Sequence, residues 1–202
     1  MSVEIDGVNK IIKTDTISEA TSANGVAIDS VTLKDGGVTY GGGGSTSSLF
    51  AQAWVLTSEV SNTSSASAAI SANMSIYNAD GYNSLGSVNM TFSSGVFTFP
   101  LTGIYKIQAQ AYMTYNTAAS NYNAIQIQTT LDNSTYSPAS VVYAATINGG
   151  NYANMYCDFI FDVSDTTNRK CKFLFETQAG ATLNGTSSAF LTGVTFTRLG
   201  DT

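Results

Sequence analysis

From Leu49 onward, apolar and polar residues alternate with a period of two in one segment after another, the pattern of strands that bury one face. The longest such segment runs from Tyr105 to Tyr115. Tyr105, Ile107, Ala109, Ala111, Met113 and Tyr115 fall on one face, and Lys106, Gln108, Gln110, Tyr112 and Thr114 on the other. The same alternation marks Val88, Met90 and Phe92; Phe97 and Phe99; Ile125 and Ile127; Val141, Tyr143, Ala145 and Ile147; Met155 to Phe161; Cys171 to Phe175; and Val194 with Phe196. Turn-forming clusters separate them, at Ser93 to Gly95, Leu101 to Gly103, Asp132 to Ser134, Asn148 to Gly150, Asp165 to Asn168 and Asn184 to Thr186. No segment carries a convincing helical period. Many strands at this spacing predict an all-β protein, an antiparallel β-sandwich of the jelly-roll kind. Residues 61–84, rich in Ser, Ala and Asn, are expected to form a long excursion with weak strands.

The beginning of the chain reads differently. Residues 1–45 hold a disproportionate share of the charged side chains and one aromatic, Tyr40. Val26 and Ile28 alternate, Asp29 and Ser30 interrupt, and Val31 and Leu33 alternate before Asp35, Gly36 and Gly37. Two very short strands joined by turn residues are predicted there. So little apolar surface makes no core within one chain; three copies wound about an axis would bury it, and the alternative is a disordered tail. The run Gly41 to Gly44, continued by Ser45, Thr46, Ser47 and Ser48, is a flexible hinge by composition. It divides the chain into an N-terminal anchoring or stem segment, residues 1–45, and a β domain, residues 46–202.

Composition narrows the choice of partners. A chain of 202 residues is long enough to bury a core without disulfides or metals. Its charged fraction is 11%, less than half the usual value of roughly 25%. Ser, Thr, Asn and Gly keep it soluble instead, and a surface with few charges to desolvate suits contact with further copies of itself or with sugars. The net charge is -6, and the 8 basic residues are scattered. The densest basic stretch, Arg169 to Lys172, is too short to track a phosphate backbone, so no nucleic-acid partner is expected. No apolar run approaches the roughly 18 residues of a membrane span. Met1 to Asp6 is acidic and lacks an apolar core region, so the chain is expected to be made in a cytoplasm.

Catalytic chemistry finds little to work with. Histidine is absent, which removes the commonest general base and zinc ligand. Neither a Gly-x-Ser-x-Gly elbow nor a phosphate loop is present. Asp158, Asp162 and Asp165 are the candidates for a glycosidase-type carboxylate pair, but Asp158 and Asp162 lie on the outward parity of a strand and read as a solvated face. No Asp-x-Asp-x-Asp loop offers a calcium site, and no metal ligand, catalytic residue or cofactor is assigned. A non-enzyme is expected. Cys157 and Cys171 each sit on the apolar parity of a strand, either as buried free thiols or as a disulfide across one hairpin; without a secretory context free thiols are favoured. Tyr112, Tyr115 and Tyr122, with Asn116, Asn121 and Asn123, are candidates for a sugar-binding surface, since aromatic faces stack on pyranose rings and amides bond hydroxyls. The alternative is that they line a sheet or a subunit interface.

The stretch from Gly95 to Tyr105 resembles the signature of complement-1q and tumour-necrosis-factor-like heads, Phe-x-x-Pro-x-x-Gly-x-Tyr followed by a long alternating strand. Phe97, Pro100, Gly103 and Tyr105 match it. On this reading Phe97 and Tyr105 seal adjacent strands, Pro100 ends a ladder and Gly103 supplies a tight corner. Phe159 to Val163 resembles the family's strand before a Gly-Asp turn, although here the turn reads Val163-Ser-Asp-Thr-Thr-Asn168. Phe190 and Gly193 stand where the family has Phe-x-Gly. The resemblance covers residues 49–200. The N-terminal strings Gly25 to Asp29 and Leu33 to Gly37 are similar to connecting segments in fibre and appendage proteins of tailed bacteriophages. Together these resemblances imply a homotrimeric, non-enzymatic structural protein of a phage virion: a capsid decoration protein or short fibre that contacts other virion proteins through residues 1–45. The alternative they leave is an adhesin at a fibre tip that binds a host surface glycan or receptor.

Overall fold

The computed structural model describes residues 26–28, 31–34, 37–40, 49–62, 67–78, 84–115, 120–146 and 152–202. The chain forms two compact units, Met1–Ser47 and Ser48–Thr202. The glycine hinge at 41–48, Asn116 and the Asn148 to Gly150 turn lie outside the described residues, as do the side chains of Tyr115 and Asn121.

In the first unit, β1 (Val26–Ile28), β2 (Val31–Lys34) and β3 (Gly37–Tyr40) form an antiparallel meander. Ile28 pairs with Val31 and Lys34 with Gly37, so only two residues join each pair of strands. The sequence pattern predicts the first two strands and not the third. The third strand begins at Gly37, within the Gly36-Gly37 pair that the sequence reading takes as turn.

The second unit is a sandwich of two antiparallel sheets, with no helix among the described residues. The first sheet contains β4 (Phe50–Leu56), β5 (Val60–Asn62), β7 (Met74–Ile76), β10 (Gly103–Tyr115), β13 (Tyr152–Val163), β15 (Ala181–Leu183) and β16 (Gly193–Gly200). Its spine is β7-β4-β16-β10-β13. Beyond β16, the end of β10 pairs with β15, which in turn pairs with β5. The second sheet runs β12-β11-β14-β9-β8, from β12 (Tyr136–Thr146), β11 (Ser120–Thr130), β14 (Lys170–Thr177), β9 (Val96–Thr98) and β8 (Thr91–Ser93). A short β6 (Ala68–Ala69) pairs with β14. Successive strands repeatedly change sheet, as from β9 to β10, β10 to β11, β12 to β13 and β13 to β14. This is a jelly roll, as the alternation predicts.

The core lies between the sheets and is dominated by aromatic rings. Phe97 is its hub, with ring centroids 4.7 Å from Phe92, 5.1 Å from Phe196, 5.3 Å from Trp54 and 5.6 Å from Phe173. From the facing sheet, Tyr105, Ile107, Ala109, Ala111 and Met113 are all buried, as their parity predicts. Polar side chains are buried as well, Gln52 among them. Gln52 is fully buried; its carbonyl accepts the Trp54 indole N–H at 2.9 Å and the Met90 backbone N–H at 3.0 Å, and its amide donates to Asn89 at 2.6 Å. A buried amide satisfied in this way locks β4 to the segment before β8.

Two expectations about placement are corrected, and the alternative of a hairpin disulfide is removed while the favoured free thiols stand. Phe97 and Tyr105 do not lie on adjacent strands of one sheet: β9 and β10 belong to opposite sheets, and the two residues face each other's layers across the core. Cys157 and Cys171 do not share a hairpin, because β13 pairs with β10 while β14 pairs with β11 and β9; both thiols are free and buried. In β12 the core side is taken by Val142 and Ala144, which leaves Val141 and Tyr143 exposed on the outer face. β12 is an edge strand with an irregularity opposite Ile127 and Gln128, beside Pro138, where a proline without an N–H is tolerated.

Candidate interaction surface

The signature residues take distinct structural roles. The ladder of β9 ends at Thr98, and Pro100 follows in the crossing to the other sheet. Tyr105 is fully buried, and its hydroxyl donates to the Leu101 carbonyl at 3.0 Å, closing the crossing on itself. Burial raises its pKa, an effect partly offset by the nearby Arg198 guanidinium. Gly103 adopts φ 145°, and a Cβ there would collide with Arg198 Nε at 2.4 Å and the Gly200 carbonyl at 2.5 Å. Arg198, itself buried, donates from Nε to the Thr102 carbonyl at 2.8 Å and pairs with Asp201. Gly193 lies under the Phe190 ring, which meets Tyr77 edge-on with centroids 5.6 Å apart. These six residues hold the sandwich together; none of them offers a reactive group.

The outer face of the first sheet is where the chemistry of contact concentrates. Along β13 the outward positions are Tyr152, Asn154, Tyr156, Asp158 and Ile160; beside them on β10 stand Thr114, Tyr112, Gln110, Gln108 and Lys106. Tyr152, Tyr156 and Ile160 are 63%, 52% and 61% exposed, high values for large apolar side chains on a regular strand. Tyr112 stacks flat on Tyr152, with centroids 5.4 Å apart and planes 11° from parallel. Desolvation and the neighbouring Tyr152 hydroxyl raise the Tyr112 pKa. The Gln108 amide donates to the Tyr156 hydroxyl, Lys106 pairs with Asp158 at 3.6 Å, and the Gln110 amide donates to the Phe190 and Leu191 carbonyls. A recess of about 310 Å³ opens among Gln110, Ala111, Asn154, Met155 and Tyr156. The face is aromatic and amide-rich with one ion pair.

The sandwich also has an open side. β13 ends the first sheet and β12 ends the second, and the two lie next to each other without pairing. Between them, near the β11–β12 turn, a groove of about 460 Å³ is lined by Leu131, Asp132, Thr135, Phe159 and Phe161, among others. Asp132 is bound into that turn: its carboxylate accepts the backbone N–H groups of Thr135 at 2.8 Å and Ser134 at 2.9 Å, which hold its pKa well below the usual carboxylate range.

The candidate sugar-binding residues do not converge. Tyr112 is on the outer face of the first sheet. Tyr122 is on the second sheet, where it meets Tyr143 edge-on at 6.2 Å. Asn123 is fully buried and donates to the Ala144 carbonyl at 3.2 Å, so it presents nothing to a ligand. The three aspartates are dispersed in role: Asp158 pairs with Lys106, Asp162 is exposed, and Asp165 accepts from Thr167 N–H and the Asn168 amide to hold the β13–β14 turn. Among the described residues no group of three or more His, Cys, Asp or Glu side chains is placed to hold a metal ion. Sequence reasoning passed over Tyr152, Tyr156 and Ile160. The signal was present, since these bulky residues occupy the outward parity of a strand whose inward parity is already apolar.

A scan against protein-family models finds no match, and neither does a sequence comparison with curated proteins. Solved structures do match. The crystal structure of murine APRIL at pH 5.0 superposes with a TM-score of 0.54 at 9% identity, over 75% of this chain and 99% of that one. The structure of Eiger TNF from S. frugiperda superposes with a TM-score of 0.54 at 10% identity, over 76% of this chain and 94% of that one. The fold is a tumour-necrosis-factor-like jelly roll.

Proposed function

We propose that the protein is a non-enzymatic structural component of a bacteriophage virion, a homotrimer whose jelly-roll heads project as a capsid decoration or short fibre. The observation that carries the trimer is the outer face of β10 and β13, with Tyr112, Tyr152, Tyr156 and Ile160 on its outward positions. Aromatic side chains of this kind are enriched at the cores of subunit interfaces, where charged ones are depleted. The open side beside β12 and β13 offers a second, different surface on the same head. A face on one copy that receives the edge of the next is a heterologous contact, and three such contacts close a ring. Obligate interfaces of this type bury on the order of 2,000 to 5,000 Å². The low charged fraction of the chain and the likeness of the strings Gly25 to Asp29 and Leu33 to Gly37 to phage fibre segments support placing the trimer in a virion, made in the host cytoplasm and held to other virion proteins by residues 1–45. Light scattering on the purified chain is expected to give three times 21.2 kDa; monomers at micromolar concentration would sink the reading. Electron microscopy of labelled particles tests the location.

A second reading, an adhesin for a host glycan or receptor, draws on the Tyr122 and Tyr143 pair. It lies on the second sheet, away from the face assigned to the subunit contact, and Tyr143 is 61% exposed. Three weak sites on one rigid head would act together through avidity. A glycan array probed with the intact protein separates the readings: no binding at high concentration leaves the structural role.

A further inference from the structure

The outer face of the second sheet carries two cations that the fold does not use. On β14, Cys171, Phe173 and Phe175 point into the core, so Lys170, Lys172, Leu174 and Glu176 take the outward positions. Among the described residues, Lys106 pairs with Asp158, Arg198 pairs with Asp201, and Arg169 donates to the Asp162 carbonyl, while Lys170 and Lys172 enter no ion pair. The Lys172 ammonium stands 4.2 Å from the centre of the Tyr136 ring, which holds it over the sheet. The acids nearby are already engaged. Glu176, about 14 Å along the strand from Lys172, accepts from the Ser67 hydroxyl at 2.9 Å. Asp132, near Tyr136, accepts the backbone N–H groups of its own turn.

Around the lysines the register gathers groups that suit a sugar. Lys172 pairs with Gln128, Leu174 with Gln126, and Gln126 with Val141; in the next row Ala124 joins Glu176 to Tyr143. The Gln128 amide donates to the Gln126 carbonyl at 3.0 Å, which leaves the Gln126 N–H groups and the Gln128 carbonyl for hydroxyls. Tyr143 is 61% exposed and is braced edge-on by Tyr122. Lys172 and Tyr143 are two strands and two rows apart, about 17 Å across the sheet, which is room for a short oligosaccharide and more than one sugar fills.

We propose that this face binds an acidic oligosaccharide, with a carboxylate at Lys170 and Lys172 and a pyranose ring on Tyr143. The inference rests on the adhesin reading and names its ligand class. Charge selects that class: the chain carries a net charge of -6, and here two cations about 7 Å apart stand without a carboxylate. Two cations are too few to follow a phosphate backbone. A protein interface centres on an apolar core, whereas the centre of this face is the Gln126 and Gln128 amide pair.

Titration calorimetry of the intact protein with hexagalacturonate and with its methyl ester tests this. A polyuronate has a carboxylate on every ring, so one meets the lysines in any register. The acid is expected to bind, more weakly as salt is added, and the ester to bind about tenfold more weakly than the acid. Lys170→Gln and Lys172→Gln are each expected to weaken the acid about tenfold, and Lys172→Arg, which keeps both charge and ring contact, to retain it. Tyr143→Ser is expected to weaken acid and ester alike. Equal binding of acid and ester, or indifference to both glutamine variants, overturns the acidic site and leaves the adhesin reading standing. Failure of hexagalacturonate to bind also overturns it; hits on the glycan array would then keep the adhesin reading, and a blank array removes both. Loss of trimers in Lys172→Gln would make this face a subunit contact and overturn the site.

Discussion

The ring of Phe190 fills the space in which any side chain at Gly193 would begin. A Cβ on Gly193 would stand 2.8 Å from Phe190 Cε2 and 2.4 Å from the Trp54 carbonyl oxygen. The backbone there is not in the left-handed region; the glycine is required for room. Because one obstacle is backbone, a rotamer change in Phe190 cannot relieve the contact. Gly193→Ala is expected to destabilise the head by about 3 kcal/mol, the scale of overpacking in a closed core. Urea unfolding followed by the fluorescence of Trp54, the single tryptophan, measures it. A midpoint equal to that of the unaltered chain would refute the packing role.

Gln52 offers a test of the core from the polar side. Replacing it with Leu keeps the bulk but leaves the Trp54 indole N–H and the Met90 backbone N–H without their acceptor. Two buried donors without partners cost about 3 kcal/mol together. The same urea titration should show a loss of that order, with a shifted Trp54 emission. A neutral or stabilised variant would mean that the amide is a passenger in the core.

Much of the fold was legible because its signal is local. The face assignments of Tyr105 to Met113 follow from alternation alone, and the segment from Phe97 to Tyr105 carried the family likeness that the superpositions bear out as a fold. Pairing was not legible, because it depends on residues far apart in sequence. The six residues between Val163 and Lys170 are as short as a hairpin loop, yet they cross from one sheet to the other. The same cause separates Tyr112 from Tyr122, which sit on consecutive strands of different sheets. In β12, Val141 and Val142 are both apolar, so parity alone left two choices, and packing selected Val142.

Acid should loosen the turns before the core. Backbone N–H groups of Thr135 and Ser134 hold the Asp132 carboxyl below its ordinary value of 3.8, and the N–H of Thr167 does the same for Asp165. A folded-state pKa lower than the unfolded one adds stability above the unfolded value, and that stability is lost as pH falls through the folded value. Stability is therefore expected to decline from about pH 4 downward. In Asp132→Asn and Asp165→Asn that decline is expected to be shallower. Urea midpoints at a series of pH values check this; slopes identical to that of the unaltered chain would remove these carboxylates from the account.

The two thiols are expected to be inert in the native protein. Burial pushes Cys157 up to about 11, and complete burial pushes Cys171 further still. Only the thiolate attacks, so an aromatic disulfide reagent at mildly alkaline pH should react with neither until the chain unfolds. Two thiols per chain should then titrate in urea, with no need of a reductant. Rapid reaction of the folded protein would show that the sandwich opens locally at β13 or β14.

A charge placed on the outer face of β13 should separate assembly from folding. Ile160 is exposed in the isolated head, so Ile160→Asp disturbs no core contact, and a surface change of this kind alters the stability of a lone domain by about 0.5 kcal/mol or less. If the face is buried between copies, each trimer would have to desolvate three added carboxylates; at Ile160 the new group would share Lys106 with Asp158, and at Tyr156, opposite Gln110, it would have no cation across the ladder, so burying it costs several kcal/mol. Ile160→Asp and Tyr156→Asp are therefore expected to give monomers by light scattering while keeping the β-sheet circular dichroism of the parent. Tyr143→Ser, on the outer face of the second sheet and in the half of β12 away from the groove at the β11–β12 turn, is expected to stay trimeric, because the proposed contact uses the β10–β13 face and that groove. Trimers that tolerate both aspartates would move the interface to another surface. Loss of assembly with Tyr143→Ser alone would place it on the second sheet.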